Sequence, residues 1–204
     1  MNHVLAHFQK NDPVLFLLTK KLTVRKLEKS KDYFVSLTRE IVGQQLSGKA
    51  ADAIFSKFTA LFPNKKPTPD LVLALPDESI RNSGPSWAKV KFLKDLALRV
   101  QTRGIVLEAL DNRNNEEIIA ELTKVKGIGP WTAEMFLMFS LAREDVFSHG
   151  DLGLNKAIRR LYQMKRKPSQ RRVEKLARKW SPYRTYACLL LWDSLELPEN
   201  NVEG

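Results

Sequence analysis

Gly127 and Gly129 stand two apart in the run Leu122 to Ala133, LTKVKGIGPWTA, between the end of one helical pattern and the start of another. Glycines so placed let the backbone take positive φ and turn successive N–H groups outward. The helix that follows adds its positive end, so the turn is an anion site shaped for one phosphate. Pro130 suits the first helical position, where a missing N–H costs nothing. About twenty residues further on, Asp151 sits where a basic amphipathic helix begins in DVFSHGDLGLNKAIRRLY. A carboxylate there reads as a plain N-cap or as a group that acts on a substrate. His149, two residues earlier, reads as a solvent-facing loop side chain or a phosphate contact. By position alone Trp131 and Trp192 read as core, one opening a buried helix and the other lying on an apolar face.

Composition narrows the partners. The chain has 204 residues, 43% hydrophobic and 28% charged, which describes a globular chain with a sizeable core. Its one cysteine, Cys188, cannot form an internal disulfide, and neither an iron–sulfur cluster nor a cysteine zinc site can be built from it. The apolar run Met135 to Ala142 stops at Arg143-Glu144-Asp145, well short of the ~20 residues a bilayer span needs. The N-terminal residues lack a signal-peptide pattern, so an intracellular protein is expected, in the cytoplasm or nucleoid of a prokaryote or the nucleus of a eukaryote. Thirty-four Lys and Arg against 23 Asp and Glu give a formal charge of +11. Twelve of those cations fall between Lys156 and Arg184, against Glu174 alone. A solvated surface or an acidic membrane would fit such a cluster, but a nucleic acid fits it better.

Helical periodicity dominates and strand patterns are nearly absent. Apolar residues at Phe34, Leu37, Ile41, Ala50, Ile54, Phe58 and Leu61 imply two helices that meet at a turn near Gly43 to Gly48. Thr68-Pro69-Asp70 opens a short helix over 71–75, and Pro76-Asp77-Glu78 starts the next. Ser86 precedes an amphipathic helix over 87–100. A short helix is expected over 115–124, and a nearly all-apolar, central one over 132–142. Basic helices follow over 151–163 and 169–180, and a last helix over 182–195. The reading is an all-α fold of about ten helices.

The order of these elements carries a resemblance. Helix, L-x-x-V-x-G-I-G, helix resembles the helix-hairpin-helix motif, whose hairpin amides grip a DNA phosphate. With a long buried helix, a glycine-bearing loop and Asp151 behind it, the layout resembles the helix-hairpin-helix-GPD superfamily of DNA glycosylases. The loop Phe147-Ser148-His149-Gly150 keeps the glycine and lacks that family's usual proline. Leu37 to Ala51, LTREIVGQQLSGKAA, and Trp180 to Trp192, WSPYRTYACLLLW, are similar to segments of the 3-methyladenine DNA glycosylase II (AlkA-like) branch, in a compact form without its N-terminal β domain. The shared motifs span about residues 36–192. Two helical lobes are implied, one over about 33–147 and one joining 1–32 to 148–204.

The resemblance implies a monofunctional glycosylase that flips alkylated purines, such as 3-methyladenine and 7-methylguanine, out of duplex DNA and hydrolyses the glycosidic bond. Asp151 matches the catalytic acid residue. Trp131 and Trp192 match base-pocket aromatics, with Met135, Phe136 and Tyr183 bordering the pocket. Gln45 matches the side chain that plugs the vacated space, with Gln44 and Leu46 beside it. Ser47 and Lys49 are placed on nearby phosphates, and Lys126, Gly127, Ile128, Gly129 and Thr132 form the hairpin's phosphate grip. Trp131 stands where relatives of endonuclease III carry a nucleophilic lysine, so a lysine-dependent strand cut is not expected. No cofactor or side-chain metal site is expected, though hairpin carbonyls in this family can hold a monovalent cation. The expected partner is damaged double-stranded DNA, with no membrane and a monomeric protein. Deaminated, oxidised or mismatched bases remain open as substrates, as does a catalytically silent DNA-binding role or a lyase using another lysine.

Overall fold

The computed structural model describes residues 1–198. Among them are twelve α-helices, two short 3-10 helices and no strand, so the all-α reading holds with more helices than the expected ten. The chain divides into two compact units, Met1–Glu28 with the chain from Ala142 onward, and Lys29–Leu141. These boundaries lie a few residues ahead of those implied by the sequence.

The first unit opens with α1 (Asn2–Asn11) and α2 (Pro13–Leu18). The sequence reading assigned no helix there. Helix α1 buries Val4 and Phe8, one turn apart, and α2 buries Leu15 and Leu18. Asp12 joins them: its carboxylate caps α2 through Leu15 N–H at 3.2 Å and accepts from Tyr162 Oη at 2.6 Å and Trp180 Nε1 at 2.9 Å. Asp12 is only 1% exposed, so a buried charge is held by three donors. Burial and that carboxylate push the Tyr162 hydroxyl far up from its ordinary value.

The second unit runs through α3 (Tyr33–Gly43), α4 (Gly48–Thr59), α5 (Pro69–Ala74), α6 (Asp77–Asn82), α7 (Trp87–Gln101), α8 (Asn115–Leu122) and α9 (Pro130–Phe139). Local chemistry sets most starts. Asp32, Thr68 and Ser86 accept N–H bonds from Val35, Leu71 and Lys89, and Asn114 with Glu117 forms a reciprocal capping box over α8. Pro130 occupies the first turn of α9, as expected. Helix α9 buries Thr132, Ala133 and Met135 to Met138 and packs on α3 and α8. Its ends surface, with Trp131 45% and Phe139 44% exposed. Trp87, at the start of α7, is half exposed.

The first unit resumes with α10 (Leu152–Leu161), α11 (Gln170–Trp180) and α12 (Arg184–Ser194). Helix α12 is its core, burying Thr185 through Leu191, with α2, α10 and α11 packed around it. Helix α11 buries Val173, Leu176, Ala177 and Trp180 and leaves Arg171, Arg172, Lys175, Arg178 and Lys179 exposed, with Glu174 half-buried.

Candidate active site

Asp151 is the N-cap of α10, and its residue is 8% exposed. Its Oδ1 accepts from Leu154 N–H at 2.7 Å, which is all that a cap requires, and also from the indole Nε1 of Trp192 at 3.0 Å. The helix dipole and two N–H donors suit a carboxylate here. Gly153 makes this approach possible: a Cβ there would lie 3.1 Å from Asp151 Oδ1 and 3.2 Å from the Trp192 ring. Asn155, one turn on, holds the loop by donating to the Asp151 carbonyl at 2.8 Å and the His149 carbonyl at 3.2 Å.

The loop before Asp151 is stitched to the start of α12. Thr185 Oγ1 donates to the Arg143 carbonyl at 2.6 Å and accepts from Val146 N–H at 3.1 Å. Arg184 Nε donates to Asp145 Oδ1 at 2.6 Å, and Ser181 Oγ donates to Oδ2 at 2.8 Å. Burial alone would raise the Asp145 carboxyl, but the Arg184 guanidinium and the Ser181 hydroxyl outweigh it and hold it below its ordinary value. Tyr186, buried and bonded to Glu144, is pushed up to about 12. Phe147 is buried against Trp180 and meets His149 edge-on at 4.9 Å. His149 itself is exposed and lines an open groove of about 320 Å³ with Lys167, Gln170 and Asn155.

In the second unit the hairpin between α8 and α9 has one left-handed glycine. Gly127 lies at φ +82, and a Cβ there would stand 2.1 Å from the Phe92 ring, so no larger residue fits. Gly129 departs from the expected positive φ. It is extended at φ −92 as the N-cap of α9, and nothing crowds its α-carbon. Lys126 N–H is taken by Asp95 Oδ2 at 3.0 Å and Ile128 N–H by the Val125 carbonyl at 3.1 Å. Among the described residues the N–H groups of Gly127, Gly129 and Thr132 have no such partner. Amides left over at a helix start are donors that an anion can use. Ile128 offers no donor, its N–H being taken and its side chain buried.

The turn between α3 and α4 presents Gln45, Leu46, Ser47 and Lys49 to solvent. Gln45 is left-handed, φ +59, and Leu46 N–H closes the turn on the Gly43 carbonyl. Gln44 points the other way: its Nε2 donates to the Gly127 carbonyl at 2.8 Å and to Thr132 Oγ1 at 3.3 Å. The structure thus joins two motifs lying 83 residues apart.

Among the base-pocket expectations, Trp131 is open and Met135 is buried one turn behind it. Phe136 has no exposed surface and packs edge-on to Tyr33 at 5.6 Å, a core side chain. Tyr183 meets the ring of His3 at a tilt, 5.3 Å away, and that of His7 edge-on at 5.2 Å, both on α1. Trp192 meets Asp151. No cluster of His, Cys, Asp and Glu suited to a metal ion occurs among the described residues. Sequence reasoning passed over Gly153, Asn155 and Asp95. Asn155 had a signal, one turn beyond Asp151, whereas the reach of Asp95 to the hairpin has none.

With this geometry in place the family is clear. The pattern of HhH-GPD superfamily base excision DNA repair proteins matches residues 38–182, and the chain belongs to that family. It is similar to DNA-3-methyladenine glycosylase 1 of Schizosaccharomyces pombe, 36% identical over 178 residues that cover 86% of this chain and 77% of that one. The DNA-3-methyladenine glycosylase of Saccharomyces cerevisiae is 35% identical over 170 residues, covering 75% of this chain and 57% of its own. Among solved structures, the S. pombe 3-methyladenine DNA glycosylase in complex with abasic DNA superposes with a TM-score of 0.85 at 33% identity, over 97% of this chain and 98% of that one. The DNA-3-methyladenine glycosidase of Bacillus halodurans gives 0.82 at 34%, over 93% and 87%.

Proposed function

We propose that the protein is a monofunctional DNA glycosylase that extrudes alkylated purines from duplex DNA and hydrolyses their N-glycosidic bond, leaving an abasic site for base-excision repair. The observation that carries this reading is the bond from Trp192 Nε1 to Asp151 Oδ1. A helix cap is complete without it, and binding DNA gains nothing from a carboxylate, so an indole aimed at the cap oxygen is a feature of a reaction centre.

Each residue then has a role. The amides of Gly127, Gly129 and Thr132, with Lys126, Ser47 and Lys49, hold backbone phosphates without reading sequence. Lys167 adds positive charge to the groove beside His149, and the exposed face of α11 supplies further counter-charge. Gln45 fills the space the base leaves, flanked by Leu46, and Trp131, exposed at the start of α9, offers an aromatic face to the base. A 3-methyladenine or 7-methylguanine is cationic, so an electron-rich ring gains about 0.5 to 2 kcal/mol over a neutral base. The C1′–N bond breaks with its electron pair going to the base, which leaves neutral. Asp151 stabilises the oxocarbenium-like sugar electrostatically and takes a proton from the water that attacks C1′.

Trp131 offers no amine, so no Schiff base forms at the lyase position of related enzymes. A monovalent cation on the hairpin would have to share the Val125 and Gly127 carbonyls with the Ile128 N–H and the Gln44 side-chain amide, and no step depends on it. The protein works as a monomer. The test is chromatography of bases released from methylated duplex DNA, with alkali-free gels and borohydride trapping on abasic DNA. Release of 3-methyladenine or 7-methylguanine from an uncut, untrapped strand is expected. Faster release of hypoxanthine, 8-oxoguanine or thymine, or a trapped covalent adduct, would overturn the substrate class or the monofunctional assignment.

A further inference from the structure

The turn that carries Gln45 is an unusual piece of backbone. Gln45 holds φ +59 although it is not glycine, a conformation that L side chains seldom adopt, and it does so on the surface. Such a turn persists only where its surroundings fix it. The fixing groups lie outside the turn. Helix α3 ends at Gly43, leaving carbonyls at its negative end without helical partners. Lys89, in the first turn of α7, places its ammonium between two carbonyls at that end, 2.8 Å from Val42 O and 2.7 Å from Gln44 O. On the far side the Gln44 amide reaches the Gly127 carbonyl and Thr132 Oγ1.

We infer that Lys89 is a positioning residue for base extrusion, clamping the α3–α4 turn from beneath so that Gln45 is presented before DNA arrives. Two features separate this from ordinary surface decoration. A lysine ammonium normally stays in water on a flexible stem, whereas this one is part-buried at its bonding end and donates to two backbone carbonyls rather than to a carboxylate. Partial burial also draws its pKa down, the sign of a charge taken from water. The carbonyls it holds belong to Val42 and Gln44, on either side of the helix-ending Gly43, so releasing it frees the left-handed turn and leaves the α7 core, Val90, Leu93, Leu96 and Ala97, in place. A side chain already fixed where the base will leave forfeits no ordering entropy during extrusion.

The inference rests on Gln45 being the plug, and the experiment separates the two. Single-turnover release of 7-methylguanine is measured with the lesion opposite cytosine and opposite an abasic-site analogue, where extrusion costs least. The proteins are wild type, Lys89→Met, Lys89→Arg and Gln45→Ala, with thermal melting of each. Lys89→Met is expected to lose about tenfold opposite cytosine and less than about twofold opposite the abasic analogue, the first factor being that of a lost charge-assisted bond pair. Lys89→Arg, which keeps the charge and the donors, should recover most of the loss. Equal losses on both substrates, or none on the paired one, would overturn the positioning role while a selective loss in Gln45→Ala leaves the plug intact. An absence of selectivity in Gln45→Ala would remove the plug and this proposal together. Should Lys89→Met not fold, the comparison passes to Lys89→Gln, which keeps a donor without the charge and must show the same selectivity.

Discussion

Replacing Trp192 with phenylalanine removes the indole N–H that reaches Asp151 and keeps a smaller aromatic ring at that position. The bond it deletes is 3.0 Å long and ends on a carboxylate whose residue is 8% exposed. Hydrogen bonds to charged groups contribute about 1.5 to 3 kcal/mol. Asp151 keeps its bond to Leu154 N–H, so the carboxylate stays on α10 while losing the charge-assisted bond from the indole. Taking the lower half of that range for a part-exposed indole, about 1.5 to 2 kcal/mol, the rate of base release should fall roughly 10- to 30-fold, at tenfold for each 1.36 kcal/mol. Affinity for DNA carrying an abasic-site analogue should change less than about threefold, because the residues proposed to hold phosphates are untouched. The assay is single-turnover release of 7-methylguanine with enzyme in excess, beside fluorescence anisotropy for binding. A folded Trp192→Phe protein that releases base at the wild-type rate would show that Asp151 works independently of the indole, and the reasoning would fail.

Three further outcomes follow from other parts of the structure. Gly127→Ala forces a Cβ into the Phe92 ring at 2.1 Å and a side chain into φ +82, which should cost about 2 to 4 kcal/mol and lower the melting temperature by roughly 4 to 16 °C; unchanged calorimetry would refute this crowding. Changing Arg171, Lys175, Arg178 and Lys179 together to glutamine should flatten the dependence of log affinity on log salt by about 0.9 for each phosphate no longer neutralised, and an unaltered slope would take α11 out of the DNA surface. Asp95, held down by Lys126 N–H and Arg99 against the opposing effect of burial, and Asp145, held down by Arg184 and Ser181, have folded pKa values below the unfolded ones. Groups of that sign stabilise the fold fully above the ordinary carboxylate range, near 3.9, and lose that contribution as pH falls through the folded values. Wild type should therefore lose more melting temperature than Asp145→Asn as pH falls below about 4, and equal losses in the two proteins would refute the assignment.

What the sequence made legible was local. Serine, threonine and aspartate caps, a proline in a first turn and a G-x-G pair are read within a few residues, so the helix starts after Thr68, Ser86 and Asp151 and the hairpin fell where expected. The helix break before Gly48 was legible for the same reason. Helices α1 and α2 were not, because each buries only two apolar residues and their anchor is remote: Asp12 meets partners 150 and 168 residues away. Long-range pairing left no trace for Lys89 with the α3 terminus, for Asp95 with the hairpin, or for Gln44 with Gly127. Motif matching said that Tyr183 borders a pocket, yet its neighbours in the fold are His3 and His7 on a helix the periodicity did not reveal. The expectation for Gly129 failed on a distinction of register. A glycine can serve a turn by taking positive φ or by starting the next helix extended, and spacing does not choose between them.

Asp151 is held here to be the reaction centre and not merely a cap. Asn at position 151 would keep an oxygen for Leu154 N–H and Trp192 Nε1 while removing the charge, so fold and DNA affinity should survive. Single-turnover release of 7-methylguanine by Asp151→Asn beside wild type is therefore the most direct test. A fall of about a hundredfold or more with abasic-analogue binding retained is the predicted result; release at the wild-type rate would contradict the account.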